Sequence, residues 1–423
     1  MRSTFKVIYP TYTHWLAGDC YYMTYPAYKE LPMHPCTLEF LTWWKDNARS
    51  VPVDLYLNEI KEERLEYDVE EDGTILGGTP PGPEAVSAVE FALAGLPSVR
   101  HFEMAIDRRA MQVLCKAATP ATFERLESLS VRQYIPARKM FGRKKFVFAF
   151  PPAPRFRRLA LTGYTNTLSF CWTQLTHLCI SCAIKQADWL EVLTNCENLL
   201  SGIFCLFEDE SEGSNFLPIV HPNLRQLFVI GAMFCSVSFP GLKALRVSQN
   251  ARTRTLEMLA EILRRTPALT ELYFDSGAFS FAQFSPSATP EASCWLRNLL
   301  PDLNLLSFEF TLCGAHSNGS VIAQVLKSEW VKLPPRDGPP SQLRISFGPS
   351  LNGLRFVTAE ELDSMKSSDT VRAIEKFRSE SDGATNIELR FPAVGDKKRT
   401  FDSYLYEVED VPRWDEVMGF HEL

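Results

Sequence analysis

Leu224-Arg-Gln-Leu227-Phe-Val229 is followed eighteen residues later by Leu242-Lys-Ala-Leu245-Arg-Val247, and twenty-seven residues after that by Leu269-Thr-Glu-Leu272-Tyr-Phe274. Each copy has a proline just ahead of it: Pro222, Pro240 and Pro267. Apolar residues at alternate positions over so short a run describe a strand with one buried face. Proline ahead of the run forces an extended entry and stops a preceding helix from continuing into it.

The same wording recurs on both sides. Upstream stand Val99-Arg-His-Phe102-Glu-Met104, Leu126-Glu-Ser-Leu129-Ser-Val131, Phe156-Arg-Arg-Leu159-Ala-Leu161 and Leu175-Thr-His-Leu178-Cys-Ile180; downstream stands Leu303-Asn-Leu-Leu306-Ser-Phe308. A long step between Leu175 and Leu224 becomes two ordinary ones if Leu199-Leu200-Ser-Gly-Ile203-Phe204 is a degraded copy. Most steps then fall in or near the ~20–29 residue period of leucine-rich repeats. Amphipathic segments lie between copies, with apolar positions three and four apart at residues 84–93, 187–193 and 255–265, and these predict helices. The sequence therefore predicts an α/β leucine-rich-repeat solenoid, a horseshoe-like arc of irregular repeats, because a unit of one strand and one return can bury its apolar face only against a stacked neighbour.

Its expected organisation has three parts. Residues 1–36 form an irregular, aromatic-rich segment. Residues 37–333 form the repeat arc, interrupted by acidic loops at 59–83 and 207–215. Residues 334–423 form a C-terminal cap, with strands at 343–347 and 386–391 and helical residues 358–379.

Composition narrows the function. The 423 residues carry a net charge of −7, which argues against a general nucleic-acid binder. Neither a secretory leader nor an apolar run of bilayer length is visible, so a cytoplasmic or nuclear protein without membrane contact is expected. Eleven scattered cysteines do not form a disulfide framework and read as reduced thiols. Between Ser128 and Ala187 there are ten basic residues and no acid. Within that window Arg138, Lys139, Arg143, Lys144 and Lys145 form a basic patch able to attract an acidic or phosphorylated partner. A solvated loop, or pairing with the acidic stretch 59–72, is the simpler reading of the same residues.

From Pro97 to about Phe310 the repeats resemble those of the fungal F-box and leucine-rich-repeat proteins. The likeness rests on Ala153-Pro-Arg-Phe-Arg-Arg-Leu-Ala-Leu-Thr-Gly163, Trp172-Thr-Gln-Leu-Thr-His-Leu178, Leu190-Glu-Val-Leu-Thr-Asn-Cys-Glu-Asn-Leu199, Pro222-Asn-Leu-Arg-Gln-Leu227 and Phe239-Pro-Gly-Leu-Lys-Ala-Leu245. The resemblance implies a substrate receptor whose repeats capture a target protein and whose F-box docks on the adaptor of a cullin-RING ubiquitin ligase. Residues 1–36 lack the helical periodicity of an F-box, so that domain is expected to be absent or degenerate.

Chemical motifs are few. Gly77-x-x-x-x-Gly82 has phosphate-loop spacing, but Pro83-Glu84 stand where Lys and Ser/Thr are required. Cys179-Ile-Ser-Cys182, with His177, Cys171 and Cys196 nearby, has zinc-like residue types but spreads across a strand and its flank. No catalytic fingerprint, metal site or cofactor is expected. The expected site is the concave strand face, where alternation turns Arg158, Ala160, His177, Cys179, Gln226, Phe228, Ala244, Arg246, Glu271 and Tyr273 away from the core. Phe228, Arg246 and Tyr273 are the expected anchors for a target protein, with Gln226, Glu271, Arg158 and His177 around them. A repeat scaffold unconnected with ubiquitin and an enzyme with an unfamiliar site remain the alternatives.

Overall fold

A computed structural model describes residues 3–8, 53–58, 99–106, 123–133, 148–150, 153–161, 168–207, 219–231, 237–248, 261–275, 300–311, 342–348, 358–380, 386–391 and 394. The basic patch 138–145, the segment 59–93, the acidic loop from residue 208 onward and residues 255–260 lie outside the described residues. The chain divides into two compact units, Met1–Ile180 and Ser181–Leu423.

The fold is mixed α/β and dominated by parallel strands in an open sheet. In the first unit the strands are β1 (Ser3–Ile8), β2 (Val53–Asn58), β3 (Val99–Ile106), β4 (Ser128–Gln133), β5 (Phe148–Ala149), β6 (Arg158–Leu161), β7 (Leu168–Ser169) and β8 (His177–Lys185). The unit boundary falls inside β8. Strands β1, β2, β3, β4, β6 and β8 pair in that order, each parallel to the next. Strands β5 and β7 lie on the return segments and pair parallel with each other.

The second unit continues with α1 (Gln186–Asn195), β9 (Ser201–Phe207), β10 (Ile219–Val220), β11 (Gln226–Gly231), β12 (Val237–Ser238), β13 (Ala244–Ser248), β14 (Glu271–Asp275), β15 (Leu305–Thr311), β16 (Gln342–Gly348), α2 (Ala359–Lys366), α3 (Asp369–Glu380) and β17 (Asn386–Arg390). Strands β9, β11, β13, β14, β15, β16 and β17 pair parallel in sequence order. Strands β10 and β12 form a second short parallel pair. Parallel neighbours need a return segment between them, which is why every pairing step spans a stretch of intervening chain.

A repeated turn prepares several strands. The first apolar residue of their motifs lies before the strand, in a turn closed by its own N–H: Phe156 donates to the Ala153 carbonyl (3.0 Å), Leu242 to Phe239 (3.1 Å) and Leu269 to Thr266 (3.1 Å). The next two N–H groups then share one carbonyl of the preceding repeat. Arg157 and Arg158 both donate to Glu127 (2.9 and 3.1 Å), Lys243 and Ala244 to Arg225 (2.8 and 3.0 Å), and Thr270 and Glu271 to Lys243 (both 2.9 Å). These bonds set the register before the ladder begins and leave the turn's apolar residue buried.

Gly241 occupies one such turn because nothing larger fits. A Cβ there would lie 2.3 Å from the Pro222 carbonyl oxygen and 2.5 Å from Arg225 Nη1. Arg225 Nη1 itself donates to the Gly241 carbonyl (3.0 Å), so the close approach also joins consecutive repeats.

Inward strand residues and turn residues make the cores. In the first unit Phe150 packs against Phe123, Phe156 and Phe170 with ring centroids 4.6, 5.5 and 5.6 Å apart. In the second, Trp189 of α1 meets Phe204 and Phe239 at 6.1 and 6.4 Å. Helix α1 buries Trp189, Leu190, Val192 and Leu193, the three- and four-residue spacing of a stripe facing the sheet.

One boundary differs from the sequence expectation. Residues 3–8 form a strand in register with β2, Phe5 opposite Leu55 and Val7 opposite Leu57, so the strand run begins inside the segment expected to be irregular. At the other end β16 and β17 continue the parallel sheet, near the strands expected at 343–347 and 386–391. The step between them carries α2 and α3, whose Met365, Val371 and Ile374 are buried.

Candidate functional site

Two rows of side-chain positions cross the second unit on the face opposite the buried Leu227, Leu245, Leu272, Leu306 and Leu343. One row runs Gln226, Ala244, Glu271, Leu305, Gln342 and Asn386. The other runs Ile203, Phe228, Arg246, Tyr273, Ser307, Arg344 and Glu388. Parallel pairing without a register shift in this unit is what brings residues so distant in sequence into line.

Phe228 is a correction to the expected site. Alternation places it on the outward face, but it is only 1% exposed. The guanidinium of Arg246, its neighbour in the register, lies over the ring with Cζ 4.9 Å from the centroid. On the other side its register neighbour is the buried Ile203. Ala244 is buried as well, so the contactable part of the face lies elsewhere.

Tyr273 and Glu271 act as a pair. The phenol donates to Glu271 Oε2 at 2.7 Å, and both side chains are half-buried. Burial, followed by the hydrogen bond and charge of Glu271, pushes the Tyr273 hydroxyl far above its ordinary range; Arg344 and Arg246 oppose the shift. The phenol therefore stays protonated and keeps donating. It is poorly suited to act as a base at neutral pH.

Farther along, Glu388 gathers three donors. Gln342 Nε2 (2.9 Å) and Arg344 Nε (2.8 Å) reach its Oε2, and Arg390 Nε (2.7 Å) reaches its Oε1. Burial acts to raise the Glu388 carboxyl, but the hydrogen bonds and charges of Arg344 and Arg390 outweigh it and hold the group below its usual range. The sequence reading stopped short of this cluster because the repeat pattern fades there. Its available signal was the alternation in Gln342-Leu-Arg-Ile-Ser-Phe347, with Leu343 and Ile345 on one face.

Arg158 and His177 belong to the first unit, where they are register neighbours on β6 and β8. His177 Nδ1 is hydrogen-bonded to Thr176 Oγ1 at 2.9 Å. Of the cysteines considered for metal, Cys171 is exposed, Cys179 half-buried and Cys196 buried. Burial raises the Cys196 thiol to about 12 and the Cys205 thiol to about 11, so both stay protonated at neutral pH. Among the described residues no three His, Cys, Asp or Glu side chains gather as a metal-binding group. A void of about 10 Å³ lined by Trp189, Leu206, Leu227, Phe239 and Ile262 lies in the core and is at most water-sized.

Among the described residues no helix is long and apolar enough to cross a membrane. No protein-family model matches this chain, and no curated protein matches it.

Proposed function

We propose that this chain is a leucine-rich-repeat protein-binding module that captures a target protein on the outward face of its parallel strands. The observation that carries the reading is the row Arg246, Tyr273, Arg344 and Glu388, together with Gln226, Glu271 and Gln342 beside it. These side chains are long, polar or aromatic, partly accessible, and held by one another or by the sheet. Groups already fixed in position lose little freedom on binding, which favours recognition over a loose surface. Arg and Tyr are also common anchors of protein interfaces.

The resemblance of the repeats to fungal F-box and leucine-rich-repeat proteins extends the proposal: the captured protein is a ubiquitin-ligase substrate, recognised in the cytoplasm or nucleus. A cullin-RING adaptor is then the second partner.

A photoreactive residue at Gln226, on the face, and another at the exposed Glu191 of α1 test the face directly. Irradiation of the full chain in cell lysate is expected to give discrete crosslinked proteins from position 226 and none in common from position 191. Identical products from both positions, or none from 226, overturn the reading. Mass spectrometry of the same captures, probed for the adaptor, decides the ligase connection.

A further inference from the structure

We infer that β17 is a self-association edge: two copies of this chain pair antiparallel through Asn386–Arg390, about a two-fold axis at Leu389. The inference stands apart from the protein-binding reading and concerns a different surface.

The edge is unfinished on two counts. β17 pairs parallel with β16, and among the described residues no strand lies on its other side. Backbone N–H and C=O groups along such an edge are a template for a further strand. Edges are usually blunted by a proline, a bulge or an inward-pointing charge. Asn386-Ile-Glu-Leu-Arg390 has no proline, keeps its register with β16 throughout, and carries Glu388 on the outward row. The core side is unfinished as well. Leu389 is half-buried, whereas Val229, Val247, Phe274 and Ile345, in line with it on other strands of the unit, are only 1–2% exposed.

The sequence of the strand selects a second copy as the occupant. Directly opposite residues of an antiparallel pair share a face, so β17 can pair with itself only where outward positions meet outward positions. An axis centred on Glu388 sets that carboxylate against its own copy, and one centred on Arg390 does the same with two guanidiniums. Like charges directly opposite each other are destabilising. An axis centred on Ile387 carries Leu389 and Arg390 beyond the end of the opposing strand. Centred on Leu389, the pairing sets Glu388 against the partner's Arg390 and Arg390 against the partner's Glu388. Leu389 then meets its own copy, and Ile387 meets the half-buried Phe391 just past the strand.

Both charged side chains are accessible enough to reach across, Arg390 at 54% and Glu388 at 31% exposure. Their internal contact, Arg390 Nε to Glu388 Oε1 at 2.7 Å, places the two groups side by side on the strand that offers them. Five paired residues make a small interface, so the dimer is weak and depends on concentration. One edge used by both copies closes at two.

Sedimentation velocity of the full chain across a concentration series is expected to show reversible exchange between monomer and dimer. Amides of β17 are expected to gain protection from hydrogen exchange as the dimer forms. R390E sets carboxylate against carboxylate at both contacts and is expected to weaken the dimer about tenfold or more. E388K opposes two cations and is expected to do the same. Mixed in equal amounts, R390E and E388K restore opposite charges at both contacts, and the mixture is expected to recover the dimer that each loses alone. Should E388K fail to fold, L389C decides: oxidation is expected to join position 389 to the same position of a second copy, located by peptide mapping.

A chain that stays monomeric throughout the series overturns the inference, as does a dimer that R390E leaves unchanged. Folded variants that do not recover the dimer when mixed, or an L389C chain that does not crosslink through position 389, exclude this register and overturn it too. So do β17 amides whose protection ignores concentration, and assemblies that grow past two copies.

Discussion

Replacing Phe228 by alanine separates a packing role from a contact role at the position that alternation alone marks as an anchor. The ring is 1% exposed and lies beneath Arg246. Returning a buried phenylalanine to water costs about 2–3 kcal/mol in lost transfer energy. The space it vacates adds to this where neighbours cannot collapse, and rigid parallel strands on both sides restrict collapse, so the total expected is about 3–5 kcal/mol. Part of this belongs to the cation–π contact, which a double-mutant cycle of F228L with R246M isolates at about 0.5–1 kcal/mol for a partly exposed guanidinium. A long open parallel sheet does not always unfold as one unit. Urea denaturation is therefore best accompanied by amide hydrogen exchange, which should show lost protection in β9, β11 and β13 before β16 and β17. An F228A protein within 1 kcal/mol of wild type by both measurements refutes the burial argument and returns Phe228 to the contact surface.

Other perturbations address other parts of the structure. G241A places a methyl group against the Pro222 carbonyl oxygen and should cost about 1–3 kcal/mol, read as a lower thermal midpoint; an unchanged midpoint means the turn can shift freely. Glu388 is held below its ordinary carboxyl range in the fold, so its contribution is present above the ordinary value of 4.5 and lost as pH falls through the lower folded value. E388Q should accordingly lose stability at neutral pH and show a shallower acid decline than wild type, as measured by midpoints across that pH range. Mass-resolved alkylation of the native protein should label the exposed Cys171 well before the buried Cys196 and the half-buried Cys205, whose thiols are shifted to about 12 and about 11. Equal labelling rates would show that the structure around Cys196 opens readily.

The apolar period made the strands legible because burial of one face leaves a pattern with period two, and the strands at 226–231, 244–248 and 271–275 fall where it appears. It misplaced their starts slightly. Leu224, Leu242 and Leu269 belong to the turns and the strands begin two residues later, since a buried turn residue and a buried strand residue look alike in sequence. The degraded copy around Ile203 is a true strand, with Gly202 where a larger inward residue was expected; a Cβ there would lie 2.5 Å from Phe204 Cε2. Residues 3–8 carried a readable alternation in Phe5 and Val7, obscured by the tyrosine-rich stretch that follows.

The candidate site was less legible for a different reason. Alternation states which way a side chain points but not what lies over it. Phe228 points outward and is covered by a residue eighteen positions later in the chain, while Arg344 and Glu388, forty-four positions apart, become partners only through the pairing of β16 with β17. Both facts depend on register across strands joined by long returns, which the alternation of any one strand does not by itself specify. The same dependence makes the cluster testable as a unit. A shift of β17 by one residue would place Ile387 or Leu389 where Glu388 stands, leave two arginines without their shared carboxylate, and bury a polar Asn386 or charged Glu388 where Ile387 now packs. The charge pattern of the outward face and the apolar pattern of the inward face therefore select the same register, and any variant that loosens one is expected to weaken the other.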